Sequence, residues 1–137
     1  MAELIGHPYF REPFPKSLDR FDFSLAPVED LSIEDAAATL VAFTVEAVAV
    51  ALQALPEQPR VLVITGGGRR NPAIVEALEQ RLPVRVEKAE AFGWRGDAVE
   101  AEAFAYLAAR TLRGLPISFP GTTGVPAPLT GGRVARP

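Results

Sequence analysis

The stretch RVLVITGGGRRNP, residues 60–72, constrains the architecture more than any other part of this chain. Val61 to Thr65 are β-branched or aliphatic with no polar alternation, the pattern of a strand buried in a parallel sheet. Three glycines follow at once, then Asn71 and Pro72, with the proline at an early helical position where its missing N–H is harmless. A strand that runs through glycines into a helix predicts an α/β layer. Gly66, Gly67 and Gly68 let backbone N–H groups approach a ligand without Cβ interference, and the helix start adds partial positive charge suited to phosphate. The same residues also make an ordinary strand-to-helix turn, and spacing alone does not separate the two readings. It is neither the GxGxxG of dinucleotide folds nor the GxxxxGK[ST] of P-loops.

The flanking sequence extends this pattern. Ser32 is a candidate N-cap with Asp35 behind it. Ile33, Ala36, Ala37, Leu40, Val41, Thr44, Val48, Ala51, Leu52 and Leu55 recur at three and four residues, predicting a helix over 32–55 that Pro56 and Pro59 end. A second helix is expected over 72–82, a second strand over 84–87 and a third helix over 97–113. The apolar side of that third helix would be Val99, Ala103, Phe104, Leu107, Ala108 and Leu112. Residues 115–137, rich in proline and glycine, read as loop with at most one terminal strand. The expectation is one α/β domain over 1–137, with a small parallel or mixed sheet of two or three strands and flanking helices. A parallel sheet needs both faces covered. Before it, a short helical turn leads into a segment that Pro8, Pro13, Pro15 and Pro27 keep from forming a long helix. Phe10, Phe14, Phe21 and Phe23 in that segment either pack on their own domain or form a face that docks on another.

Composition narrows the classes of function. With 137 residues, 14 Lys and Arg against 17 Asp and Glu, and no concentrated basic stretch, nucleic acid is not an expected partner. The absence of cysteine excludes disulfides, thiolate nucleophiles and Cys-ligated metal centres, and fits a reducing compartment. The N-terminus, with Glu3 and Pro8, does not read as a signal peptide. The apolar run from Ala36 to Leu55 is interrupted by Thr39, Thr44, Glu46 and Gln53, so a buried helix is expected and no membrane role. Together these point to the cytoplasm. His7 is the sole histidine, a poor basis for nucleophilic catalysis or for a metal site, and no metal ligands are assigned.

A second candidate lies in GWRGDAVEAEAFAYLA, residues 93–108. Asp97 and Glu100 share a face at a helix start, where anions are favoured, and could accept hydrogen bonds from sugar hydroxyls. Their D-x-x-E spacing equally fits an N-cap with its capping-box partner. Arg69, Arg70 and Arg95 sit beside glycines, either solvated or reaching a phosphate or partner. Trp94 either stacks on a ligand or plugs the core.

Taken together, these stretches resemble anhydro-N-acetylmuramic acid kinase, a sugar kinase of the actin, Hsp70 and hexokinase superfamily. HPYF at 7–10 and PKSLDR at 15–20 are similar to the family's D-P-[FY]-F and P-P-K-S-T-G-R segment, with Leu18 and Asp19 in place of Thr-Gly. VLVITGGGRRNP resembles the adenosine-binding strand and loop of such kinases. GDAVEAEAFAYLA, from Gly96, resembles G-D-x-x-E-A-x-x-F-A-x-L-A, and the tail with Pro120, Thr123, Gly124 and Gly131 is similar to the family's closing P-x-x-T-G and glycine-containing end.

The resemblance implies a partial ribonuclease H-like, actin-like ATPase domain, the C-terminal half of a two-domain kinase. It implies ATP-dependent opening and phosphorylation of 1,6-anhydro-N-acetylmuramic acid during cell-wall recycling, with Mg2+ at the phosphates and a homodimer as the assembly. Gly66, Gly67, Gly68 and Asn71 would hold the nucleotide. Glu100, and less directly Asp97, would face the sugar or the cleft, with Lys16 and Arg20 as further candidates. No catalytic residue is expected in this chain, because the family's phosphate-binding loop and catalytic aspartate belong to the N-terminal half. A stand-alone nucleotide-binding or partner-docking module of the same fold, or an interaction domain without a ligand, is the alternative.

Overall fold

The computed structural model describes residues 2–135, and of Arg20 the backbone alone. Along the chain run α1 (Ala2–Ile5), α2 (Ala26–Glu29), α3 (Ile33–Gln53), β1 (Val61–Ile64), α4 (Pro72–Arg81), β2 (Arg85–Lys88), α5 (Val99–Leu112) and α6 (Pro120–Thr123). Short 3-10 turns occupy Pro8–Arg11, Arg20–Asp22, Gly67–Arg70 and Ala89–Phe92. The helix-strand alternation read from the sequence is present, and the fold is α/β. The described residues form two compact units, 2–11 with 18–97, and 12–17 with 98–135.

In the first unit β1 and β2 form a two-stranded parallel sheet, Val61 opposite Arg85 and Ile64 opposite Lys88. Leu62, Ile64 and Val86 share one side of the pleat and pack on the buried cluster of Val45, Ala49 and Leu52 from α3 with Leu78 and Leu82 from and just after α4. On the opposite side Val61 and Val63 alternate with Arg85 and Glu87, an ion pair at 3.4 Å. All four β1 residues are therefore half-buried rather than enclosed, and the helices of this unit cover one face only.

Ser32 caps α3 as expected, its Oγ accepting from the Asp35 N–H at 3.1 Å. The buried stripe matches the expected one only in part, at Leu52 with Val48 packed beside it. Val45, Ala49 and Leu52 are buried, whereas Ile33 is 85% exposed and Leu55 lies beyond the helix and exposed. An alanine-rich helix is apolar almost all round, so periodicity alone does not select the face that packs. By length and composition this 21-residue helix would also be apolar enough to cross a membrane. Here it packs on α4 and the sheet, and Glu46 accepts from Arg81 of α4 at 2.9 Å, which holds the Glu46 carboxyl below its ordinary range.

The aromatic segment divides. Phe10 and Phe23 meet Phe43 of α3 edge-on, with ring centroids 6.1 and 5.1 Å apart, so these two pack on their own unit. Phe21 and Phe14 stay exposed. His7 stacks at 5.1 Å against Phe23, and its Nδ1 accepts from the Tyr9 N–H, a structural role.

The second unit holds α5, α6 and a single antiparallel bridge, Ser118 with Leu129, where the tail was expected to contain at most a strand. None of the α5 residues expected to form its apolar side is buried: Phe104 is 64% and Leu112 is 71% exposed. The amphipathic pattern is real, but this unit supplies no second long helix or sheet to receive it.

The core assignment makes a direct prediction. Leu78→Ala removes a side chain that is 3% exposed at the α3–α4 contact and should lower the unfolding free energy by about 2–5 kcal/mol, measured by urea denaturation. Ile33→Ala, on the exposed side of α3, should change it by less than about 0.5 kcal/mol.

Candidate functional site

The candidate site is built where β1 ends. Gly66 takes φ +69°, a backbone region that favours glycine, and turns the chain out of the strand. Gly67 and Gly68 begin the 3-10 turn without needing positive φ, and a Cβ on either would meet nothing within 4 Å. Both are exposed. Neither conformation nor packing within the chain therefore requires glycine at 67 or 68, and the space in front of them is open to a ligand. Asn71 accepts with Oδ1 from the Ala73 N–H at 3.0 Å and caps α4, with Pro72 at the first helical position.

Arg69 departs from the solvated arginine considered from the sequence. Its side chain is 6% exposed and makes four hydrogen bonds. Nε and Nη2 donate to Glu90 Oε1 at 2.9 and 2.8 Å, and Nη1 donates to the Gly66 carbonyl at 2.8 Å and to Asp97 Oδ1 at 2.7 Å. Arg70, exposed, donates to the other Asp97 oxygen. The Gly66 N–H donates to the Gly96 carbonyl at 3.0 Å. Gly96 is buried, and a Cβ there would lie 2.7 Å from Glu90 Oε1 and closer still to Arg69 Nε. Glycine at 96 is thus what makes room for the guanidinium.

The electrostatics follow from these contacts. Hydrogen bonds from Arg69 hold the Glu90 and Asp97 carboxyls below their ordinary ranges, with the nearby positive charge adding to the effect, while the arginine is pushed further above its own. Asp97 is consequently not the N-cap that its spacing suggested. The residue before α5 is Ala98, which makes no side-chain cap, and Asp97 and Glu100 form no capping box.

The predicted residues thus separate. Gly66, Gly67, Gly68, Asn71 and Asp97 belong to the first unit, the first and last linked through Arg69 and Gly96. Glu100 is exposed in the first turn of α5 in the second unit. Lys16 is also in the second unit, half-buried with its ammonium 5.1 Å from the Phe14 ring centroid, on a small cavity of about 130 Å³ shared with Ser17, Thr122 and Thr123. The side chain of Arg20 lies outside the described residues, and its backbone turn is capped by Asp19, which accepts from the Phe21 N–H at 3.0 Å. Trp94 is exposed against Phe92 and is not a core plug. Glu90 escaped the sequence reading because nothing local marks it, and Gly96 entered it only as the first residue of the G-D-x-x-E-A stretch, without a role. A buried arginine needs acceptors, and these lie 21 and 28 residues away from it or are backbone.

The first unit is therefore an α/β layer whose parallel strand delivers an open glycine turn to a capped helix, the class of site that α/β proteins place at the carboxyl ends of their strands. The chain belongs to the anhydro-N-acetylmuramic acid kinase family, whose model matches residues 1–136. It is 67% identical over 134 residues to the anhydro-N-acetylmuramic acid kinase of Caulobacter vibrioides and 63% identical over 134 to that of Phenylobacterium zucineum. It is 62% identical over 135 to that of Rhizobium rhizogenes. In each case 98% of this chain is covered and 36% of the relative, so the chain spans little more than a third of the length of the curated relatives it matches.

The acid dependence of stability tests the arginine cluster. Both carboxyl groups are depressed, so the stabilisation is complete above their ordinary values of 4.5 and 3.8 and is lost as pH falls through the lower folded values. Asp97→Asn should be less stable than wild type at neutral pH, and the difference should shrink on acidification below about pH 4, measured by urea unfolding across pH. Equal pH profiles for the two proteins would remove Asp97 from the cluster's energetics.

Proposed function

We propose that this chain is the C-terminal, nucleotide-binding portion of a cytoplasmic kinase that opens the 1,6-anhydro ring of anhydro-N-acetylmuramic acid and phosphorylates its 6-oxygen, using ATP. The observation that carries the reading is the open space in front of Gly67 and Gly68, in a chain that matches the kinase family over 136 residues. The 67% identity to a protein named for this activity supports the choice of substrate.

In the proposed reaction water attacks the anomeric carbon and loses its proton to an aspartate, the bond from that carbon to the 6-oxygen breaks, and the 6-oxygen takes the γ-phosphoryl group from ATP. Positioning and electrostatics account for most of the rate enhancement in such transfers. That aspartate and the main phosphate-binding loop belong, on this reading, to the remaining part of the kinase, in an actin-like fold of two domains assembled as a homodimer. This chain's own residues bind and orient. The backbone at Gly67 and Gly68, beside the start of α4, receives the adenosine and adjacent phosphates, and Glu100 accepts from sugar hydroxyls. Among the described residues no three His, Cys, Asp or Glu side chains converge to hold a metal ion. Mg2+ would be held at the ATP phosphates and would neutralise their charge there.

Two measurements test the reading. The 137-residue chain alone should form no phosphorylated sugar from ATP and the anhydro sugar; turnover by the isolated chain would overturn the division of labour. In the complete kinase, Gly67→Val should abolish ATP binding by calorimetry. Its urea unfolding should shift by less than about 0.5 kcal/mol, because the added side chain enters open space. Unchanged ATP affinity would remove the glycine turn from the nucleotide site.

A further inference from the structure

We propose that Arg69, seated by Gly96, Glu90 and Asp97, is a positioning residue that fixes the peptide between Gly66 and Gly67 so that the Gly67 N–H points at the nucleotide; this rests on the reading of the glycine turn given above.

The geometry runs through one peptide plane. In a trans peptide the carbonyl and the next N–H point in opposite directions. The Gly66 carbonyl accepts at 2.8 Å from Arg69 Nη1, so the N–H of Gly67 is turned away from the guanidinium. It stands at the start of a 3-10 turn, where N–H groups have no acceptor within the turn. The other side of Gly66 is held as well, its own N–H donating to Gly96 at 3.0 Å. Both polar groups of Gly66 are thus clamped from residues 69 and 96, at a glycine whose φ of +69° leaves the backbone otherwise permissive. Arg69 is in turn immobilised by Glu90 and Asp97, from the turn after β2 and the segment before α5. A lysine at 69 would present one ammonium in place of a planar fork and would not reach the three groups in this geometry. Arg69 itself is nearly inaccessible, and the Gly66 peptide is its direct contact with the glycine turn.

The test uses the complete kinase chain that carries these residues, with ATP and the anhydro sugar varied separately. Arg69→Lys and Gly96→Ala attack the same contact from opposite sides, and only the first removes the guanidinium. Each should raise the KM for ATP about tenfold or more while the KM for the sugar stays within about twofold, and each should lower the thermal midpoint because the buried ion pairs are disturbed. The double variant should be no worse than the poorer single, because both disturb one device. Glu90→Gln, which keeps an oxygen acceptor, should show the same split in smaller measure, and it serves if Arg69→Lys is recovered unfolded. An active wild type with unchanged ATP KM in the variants would overturn the inference and leave the functional reading standing. So would ATP and sugar KM rising together by the same factor, or effects that multiply in the double variant. A wild-type kinase without ATP-dependent product would overturn both.

Discussion

A guanidinium withdrawn from water must recover its hydrogen bonds from the protein, because an unpaired buried charge is among the most unfavourable features a fold can contain. Arg69 meets that demand with a carboxylate on each side and a backbone carbonyl, and in doing so it ties together segments far apart in sequence. The end of β1, the turn after β2 and the entry to α5 converge on this one side chain. The glycine turn at 66–68 would otherwise be the most permissive stretch of backbone in the chain. Its first residue is held at both its N–H and its carbonyl, while the next two face open space. Rigidity behind the turn and vacancy before it are what a backbone binding site needs, since preorganised donors do not have to be ordered when the ligand arrives.

The elements themselves could be read from the sequence because their signals are local. Ser32, Asn71 and Pro72 mark helix starts through side-chain caps and proline geometry, and the run from Val61 marks a strand by β-branching. What could not be read was which side of each helix packs. In α3 nearly every position is apolar, and the buried stripe of Val45, Ala49 and Leu52 emerges only once α4 and the sheet are in place. In α5 the pattern is amphipathic yet none of its residues is buried, since a pattern states what a helix can bury and not what is there to meet it. The candidate site divided in the same way. The glycine turn was visible as spacing, whereas the ion pair of Asp97 with Arg69 was not, because the arginine lies 28 residues upstream.

The first unit also explains why the strands are half-buried. A parallel sheet is ordinarily covered on both faces, and here the helices of the unit cover the Leu62 and Val86 face while Val61 and Val63 lie on the other beside Arg85 and Glu87. An apolar cavity of about 610 Å³ beside Phe23 and Phe43, lined by Leu4 and Leu40 among others, shows that the aromatic segment is likewise incompletely packed.

The central claim is that a nucleotide rests on the Gly67–Gly68 backbone with the Arg69 cluster intact behind it. The most direct measurement is a crystal structure of the complete kinase bound to a non-hydrolysable ATP analogue. The account predicts the nucleotide within hydrogen-bond distance of the Gly67 or Gly68 backbone, with Arg69 still donating to the Gly66 carbonyl and to Asp97. A nucleotide bound away from this turn, or an Arg69 swung out to contact the phosphates itself, would contradict it.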